Sequence, residues 1–248
     1  YLALSKKKRL SDVTIDNQRR YLNTFFDWCL NEEIIKRNPV KKIDKIKTTK
    51  KQKEAFTEYE IEKMRSFLVN EKTYCGRNTK EHLKEIKLRN IAIFETLLST
   101  GARVTELINI DKNQVEEEQD ELIILGKGKK ERKIYLNAKA RISIQNYLQT
   151  RKDFENCLFV AYDPFKDNLP HRMSQAGIED MIRTLGKRCD IEAYPHKFRR
   201  TAATIGAKKG MPIEQIQKML GHSSLNTTQI YVNTSDNEVK ISHEKYLN

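Results

Sequence analysis

Apolar side chains near the start of the chain recur at the three- and four-residue spacing of an amphipathic helix. The residues with this spacing are Ile15, Leu22, Phe25, Phe26 and Cys29. Ser11 precedes them and can cap the helix, because its hydroxyl accepts a hydrogen bond from an N–H group of the first turn. Asn38 and Pro39 are predicted to lie beyond its end, since proline cannot continue a helix.

A lysine-rich segment with few large apolar side chains follows. Residues 41–53 contain seven lysines, and Ile43 and Ile46 are their only large apolar residues. This composition predicts an exposed linker between two domains. The chain is therefore divided into a first domain over 1–50, a basic linker at 41–54 that overlaps its end, and a second domain with a tail over 55–248.

The pattern in the second domain predicts helices around one small sheet. Helices are predicted at 58–69, 86–98, 103–110, 138–151, 174–189, 196–209, 212–220 and 224–231, with a loop at 70–84. Alternating apolar runs at 121–125 and 132–136 predict a hairpin with a basic tip at 126–130. The expected fold class is mainly α with a small antiparallel β-sheet.

Charge then points to the partner. The net charge is +13, and residues 1–53 hold 15 Lys and Arg against six Asp and Glu. This excess favours a polyanionic partner, nucleic acid before an anionic membrane surface. The sequence lacks the run of roughly 18 apolar residues that a membrane helix needs and shows no signal peptide, so no membrane partner is expected. Because the chain begins with Tyr1 rather than Met, it is expected to be part of a longer protein.

The cysteines bear on metal binding and location. Cys29, Cys75, Cys157 and Cys189 are far apart and belong to no Cys/His cluster. This argues against a zinc site and a disulfide framework, and it is typical of a protein in a reducing cytoplasm.

Four polar motifs in the second domain contain candidate catalytic residues. They are Thr100-Gly101-Ala102-Arg103-Val104-Thr105-Glu106-Leu107, Gly126-Lys127-Gly128-Lys129-Lys130-Glu131-Arg132, His196-Lys197-Phe198-Arg199, and Leu220-Gly221-His222 with Tyr231 nine residues later. Each alone is also typical of an ordinary feature, such as a surface ion pair, a solvated turn or a helix cap.

In this order and spacing, the motifs resemble those of the tyrosine recombinase (phage integrase) family. Residues 1–50 are similar to the family's helical core-binding domain, and residues 55–248 to its catalytic domain. The resemblance in the first domain is carried by Thr14, Tyr21, Leu22, Phe25, Trp28, Asn38 and Pro39. It implies a two-domain clamp around duplex DNA.

The resemblance implies DNA cleavage and rejoining through a 3′-phosphotyrosine at Tyr231. A phenol has a pKa of about 10 and needs a base or a strongly positive site to react, and His196 is the implied general base. The 5′-oxygen is a poor leaving group until it is protonated. Lys127, the first lysine of the hairpin tip, is the implied general acid.

Two arginines are implied to hold the scissile phosphate. The guanidinium fork matches two phosphate oxygens, so Arg103 and Arg199 are expected to stabilise the transition state. His222 is implied to bind the phosphate, and Glu106 is expected to orient the site from one turn beyond Arg103. Because arginines supply this charge, no metal and no cofactor are expected.

The assembly and the DNA contacts are implied in the same way. Four protomers on two duplexes would exchange strands through a Holliday junction, with a monomer expected without DNA. Basic residues of the linker, the hairpin tip and the His-x-x-Arg helix are expected to contact the phosphate backbone. They are Lys41, Lys42, Lys45, Lys47, Lys50, Lys51, Lys129, Lys130 and Arg200.

Alternatives remain open from the sequence. Residues 212–231 also have the pattern of a helix-turn-helix, which would suit a repressor or a catalytically inactive relative. A type IB topoisomerase uses nearly the same chemistry, although the core-binding pattern favours a recombinase. The context of residues 196–201 favours a mobile-element integrase over a chromosome resolvase. Residues 237–248 could pack on a neighbouring protomer or on their own domain.

Overall fold

The computed structural model describes residues 10–46, 54–70, 80–116, 121–126, 131–162 and 169–221. They belong to two compact units, one before residue 54 and one from Glu54 onward. In the first unit, helix α1 spans Asp12–Asn31, and the Ser11 hydroxyl accepts a hydrogen bond from the Thr14 N–H at 3.2 Å. The helix therefore begins at the predicted cap.

The turn after α1 is fixed by a buried asparagine. The side-chain amide of Asn38 donates to Oδ1 of Asp27 at 2.8 Å and to Oδ1 of Asn23 at 3.1 Å. A short 3₁₀ helix, Pro39–Lys42, follows, and its Val40 is buried. Residues 41 and 42, which the sequence assigns to the linker, are exposed and lie in this short helix.

The second unit is a helical core with two hairpins. Its helices are α2 (Glu58–Asn70), α3 (Lys80–Thr100), α4 (Val104–Leu107), α5 (Asn113–Glu116), α6 (Ala138–Leu148), α7 (Gln175–Arg188), α8 (Pro195–Lys208) and α9 (Ile213–Leu220). Helix α3 crosses the core between α6 and α8, and Phe94 meets Phe198 edge to face with ring centroids 5.4 Å apart. None of the described helices combines the length and apolar character needed to span a bilayer.

Helix α3 begins earlier than predicted. The polar character of residues 80–84 predicts a loop, yet these residues form its first turns. Leu83 and Glu85 are buried there, and the Tyr162 hydroxyl donates to Oε1 of Glu85 at 2.7 Å. A buried partner for a polar residue is a tertiary contact, which periodicity does not reveal.

Strands β1 (Glu121–Leu125) and β2 (Glu131–Tyr135) form the predicted antiparallel hairpin. Leu122 faces Ile134 and Ile124 faces Arg132 on the side that packs on the core. The described residues contain a second antiparallel pair beside the predicted one, formed by β3 (Val160–Tyr162) and β4 (Pro170–Arg172). Strands of three residues are too short to show a period of two.

The last described helices lead to the fourth motif. Proline at the first position of α8 fits the free N–H groups of a helix start. Helix α9 follows Pro212 and ends at Gly221, whose φ of +65° lies in the left-handed region. The predicted helix at 224–231 lies outside the described residues.

Candidate active site

A cleft of about 470 Å³ opens between the start of α4, helix α7 and the start of α8. Arg103, His196 and Arg199 all line it. These three residues come from two motifs, and His196 follows Arg103 by 93 residues in the sequence. The fold therefore brings both predicted phosphate-binding arginines and the predicted base to one cationic cleft.

Arg103 is held at the cleft by the turn before it. Gly101 has a φ of +59°, and a Cβ there would lie 2.8 Å from Cδ2 of Leu220, so the turn requires glycine. Arg103 then occupies the N-cap position of α4, and its side chain is partly exposed. The guanidinium is thus both held in place and accessible from the cleft.

Arg199 is held more deeply, with 1% of its surface exposed. Its Nη1 donates to the Gly101 carbonyl at 2.8 Å, and its Nη2 donates to the Leu220 carbonyl. One guanidinium therefore links the turn before Arg103 to the end of α9. Arg199 lies on the buried face of α8, so this charge holds the fold together while it also lines the cleft.

His196 lies one helical turn before Arg199 and is exposed on the cleft wall. Residues three apart share a helix face, so the His-x-x-Arg spacing places both side chains on the same wall.

Glu106 is buried, with 2% of its surface exposed, and it contacts two arginines. Its Oε1 accepts from Nη1 of Arg103 at 2.8 Å, and its Oε2 accepts from the Arg103 backbone N–H and from Nη2 of Arg132, both at 2.7 Å. Burial acts to raise the pKa of Glu106, but the hydrogen bonds from Arg132 and Arg103 outweigh it and hold that pKa below its usual value. The carboxylate is therefore ionised and fixes Arg103.

Arg132 ends the hairpin motif, and the sequence alone predicts no role for it. It lies on β2 two residues before the buried Ile134, so both side chains are on the same face of the strand. An arginine at a core-facing position of a strand is rare unless it is paired, and that was the available signal.

Arg200, predicted to contact DNA, is instead buried, with 6% of its surface exposed. Its Nη1 donates to the Glu54 carbonyl at 2.9 Å and to the Tyr194 hydroxyl at 3.3 Å. The prediction of a backbone phosphate contact is wrong for this residue, because its guanidinium ties the start of the second unit to α8.

The remaining predicted residues divide by location. Lys42 and Lys45 are exposed on the first unit, and Nζ of Lys41 lies 3.4 Å from Oδ1 of Asp27. Others lie outside the described residues: Lys47, Lys50, Lys51, Lys127, Lys129, Lys130, His222 and Tyr231. Within the described ranges, no three His, Cys, Asp or Glu side chains come close enough to hold a metal ion.

Comparison with known proteins agrees with this fold. The model of the phage integrase family matches residues 75–238. The chain therefore belongs to the phage integrase family and is a tyrosine site-specific recombinase.

Among curated relatives, tyrosine recombinase XerC of Leptospira interrogans (serovar copenhageni) is 32% identical over 246 residues, which cover 98% of this chain and 74% of the relative. XerC of Staphylococcus aureus (strain JH9) is 30% identical over 253 residues, which cover 100% of this chain and 78% of that relative.

Solved structures share the architecture. The Tn1549 transposon integrase in complex with transposon right end DNA aligns with a TM-score of 0.75 and 23% identity, covering 100% of this chain and 83% of that one. XerH bound to a palindromic difH substrate aligns with a TM-score of 0.75 and 20% identity, and the alignment covers 100% of this chain and 70% of XerH. The predicted family and the mainly α fold class are confirmed.

Proposed function

We propose that this recombinase cleaves and rejoins duplex DNA through a covalent 3′-phosphotyrosine at Tyr231. The observation that carries the proposal is the convergence of Arg103, His196 and Arg199 on one cleft. A net charge of +13 suits a DNA partner, and the similar Tn1549 transposon integrase was solved in complex with transposon right end DNA.

Arg103 and Arg199 would bind the non-bridging oxygens of the scissile phosphate. Charge on these oxygens grows in the pentacoordinate transition state, and donors fixed in advance stabilise it without reorganising. Both guanidiniums are fixed here, one by the Glu106 carboxylate and the other by two backbone carbonyls. Removing one such donor typically lowers the rate by about 10²–10³-fold.

The remaining roles follow the motif positions. The Tyr231 oxygen attacks phosphorus as His196 takes the phenolic proton, and the phosphorus–O5′ bond breaks as Lys127 gives a proton to the leaving oxygen. His222 would hydrogen-bond the phosphate. Because the phosphodiester energy is kept in the tyrosyl ester, a 5′-hydroxyl can attack it, release the tyrosine and reseal the strand without ATP.

The proposal extends to the whole chain. Residues 1–50 and the basic linker at 41–54 would form the second half of a clamp on the duplex, with the catalytic domain at 55–248. Four protomers on two duplexes would exchange strands through a Holliday junction. Integration or excision of a mobile element in the cytoplasm is the process that the context of residues 196–201 favours.

Trapping the covalent intermediate tests this proposal. We expect the full chain, incubated with nicked duplexes of randomised sequence, to give an adduct that survives denaturant. Mass spectrometry should place the DNA on Tyr231, and Tyr231→Phe should form none. Tyr59, an exposed tyrosine of α2, offers a matched control because Tyr59→Phe should react normally.

Other outcomes would separate the alternatives. An adduct on another residue, or none with the unaltered chain, would refute the proposal and leave a DNA-binding relative. Adduct formation with relaxation of supercoiled DNA, but with no exchange between two captured sites, would identify a topoisomerase activity.

Lys127→Ala should slow cleavage of ordinary DNA by about 100-fold or more, because the leaving oxygen then departs unprotonated. A 5′-bridging phosphorothiolate should restore the rate, since a thiolate leaves without a proton. Single-turnover cleavage of both substrates measures this. Lys129→Ala and Lys130→Ala serve as neighbouring controls, and equal loss on both substrates would exclude Lys127 as the acid.

A further inference from the structure

We infer that Arg132 is a positioning residue for strand cleavage, which fixes Glu106, and through it Arg103, to the last turn of α9. The inference rests on the proposed function, because it assigns Arg132 to the cleavage site. Arg132 does not line the cleft itself, so it would act through the groups that it holds.

The contacts of Arg132 join three separate motifs. From β2 its Nη2 donates to Oε2 of Glu106 at 2.7 Å, and its Nη1 donates to the Met219 carbonyl. Its aliphatic portion packs under Gly221, where a Cβ would lie 2.8 Å from Cδ of Arg132. A side chain at position 221 would therefore displace the arginine.

The end of α9 connects both phosphate-binding arginines. The Met219 carbonyl accepts from Arg132, and the next carbonyl, that of Leu220, accepts from Arg199. The last carbonyls of a helix have no partner within it and form its negative end. Two of these carbonyls accept from guanidiniums of different motifs, Arg132 and Arg199. A shift of this turn would therefore displace Arg199 directly and Arg103 through Arg132 and Glu106.

Only a guanidinium can make these contacts together. Its fork has donors that point to different acceptors, whereas a lysine ammonium is a single point charge. The buried Glu106 carboxylate also needs a cation on its Oε2 side, because an ionised group in the interior is costly without one. Arg132→Lys should therefore keep one contact, and Arg132→Met should keep neither.

The experiment measures single-turnover formation of the covalent adduct with the nicked duplexes of randomised sequence described above. We expect Arg132→Met to be slower by on the order of 100-fold, as small displacements of catalytic groups typically cause, with DNA affinity unchanged and Arg132→Lys intermediate. Lys133→Met is the matched control: the neighbouring Lys133 pairs with exposed Glu121 at 2.7 Å and should leave the rate unchanged.

Coupling separates positioning from general loss of stability. If Arg132 acts by holding Arg103, then Arg132→Met should slow an Arg103→Lys enzyme far less than it slows the original enzyme. The inference would be overturned if the rate loss of the double variant equalled, within about twofold, the product of the losses of the two single variants. It would also be overturned if Arg132→Met reacted as fast as Lys133→Met. Absence of any adduct with the unaltered chain would instead refute the proposed function.

Discussion

Arg199→Lys is expected to lose DNA cleavage and fold stability together, whereas Arg103→Lys is expected to lose cleavage with little change in stability. Arg199 donates to the carbonyls of Gly101 and Leu220 from a position that is 1% exposed. Lysine cannot bind both, and a buried carbonyl left without a donor costs about 1–3 kcal/mol. Arg103 is partly exposed and its guanidinium pairs with the Glu106 carboxylate rather than with a buried carbonyl, and a lysine ammonium can still pair with that carboxylate.

The comparison uses two measurements on each variant. Single-turnover cleavage should fall by about 10²–10³-fold in both, while urea unfolding should show a lower free energy for Arg199→Lys alone. DNA binding should persist in Arg103→Lys. If Arg199→Lys unfolds like the original protein, its two carbonyl contacts do not contribute to stability.

Glu106→Gln is expected to destabilise the second unit at neutral pH by about 3 kcal/mol, because two arginines lose the charge that compensates them. The pKa of Glu106 is lowered in the folded protein. Its ion pairs therefore contribute fully above the unfolded value of about 4.3, and the contribution is lost as the pH falls through the lower folded value.

Unfolding measured across pH gives the test. The difference in unfolding free energy between the original chain and Glu106→Gln should be constant near neutral pH and should shrink on acidification below the unfolded pKa. The Glu121→Gln variant is the control, because its carboxylate pairs with Lys133 on the surface and such pairs contribute at most about 1 kcal/mol. A difference that grows on acidification would contradict the lowered pKa.

The sequence was most informative where a motif needs only local geometry. The spacing of His196 and Arg199 follows from one helical turn, and the hairpin at 121–135 follows from alternation and a glycine-rich tip. Arg103, which lies far from both in sequence, lines the same cleft as His196 and Arg199. Their convergence could be inferred only from the resemblance, because no local rule relates positions so far apart.

Other features depend on tertiary contacts that the sequence does not display. Arg200 looks like a surface cation but donates to the Glu54 carbonyl inside the fold. The first turns of α3 look like loop but bury Leu83 and Glu85. Arg132 faces the core whereas the next residue, Lys133, is exposed, and this difference depends on strand register. Roles for His222 and Tyr231 remain predictions.

The arginine contacts at the end of α9 restrict how this helix can vary. One inserted residue would rotate everything after it by about 100° and advance it by about 1.5 Å. The carbonyls that now accept from Arg132 and Arg199 would then point elsewhere. Insertions should therefore be tolerated in surface turns, such as the one around Gly210, but not between Ile213 and Leu220. Engineers who attach tags or sensor domains to this recombinase should leave that helix at its natural length.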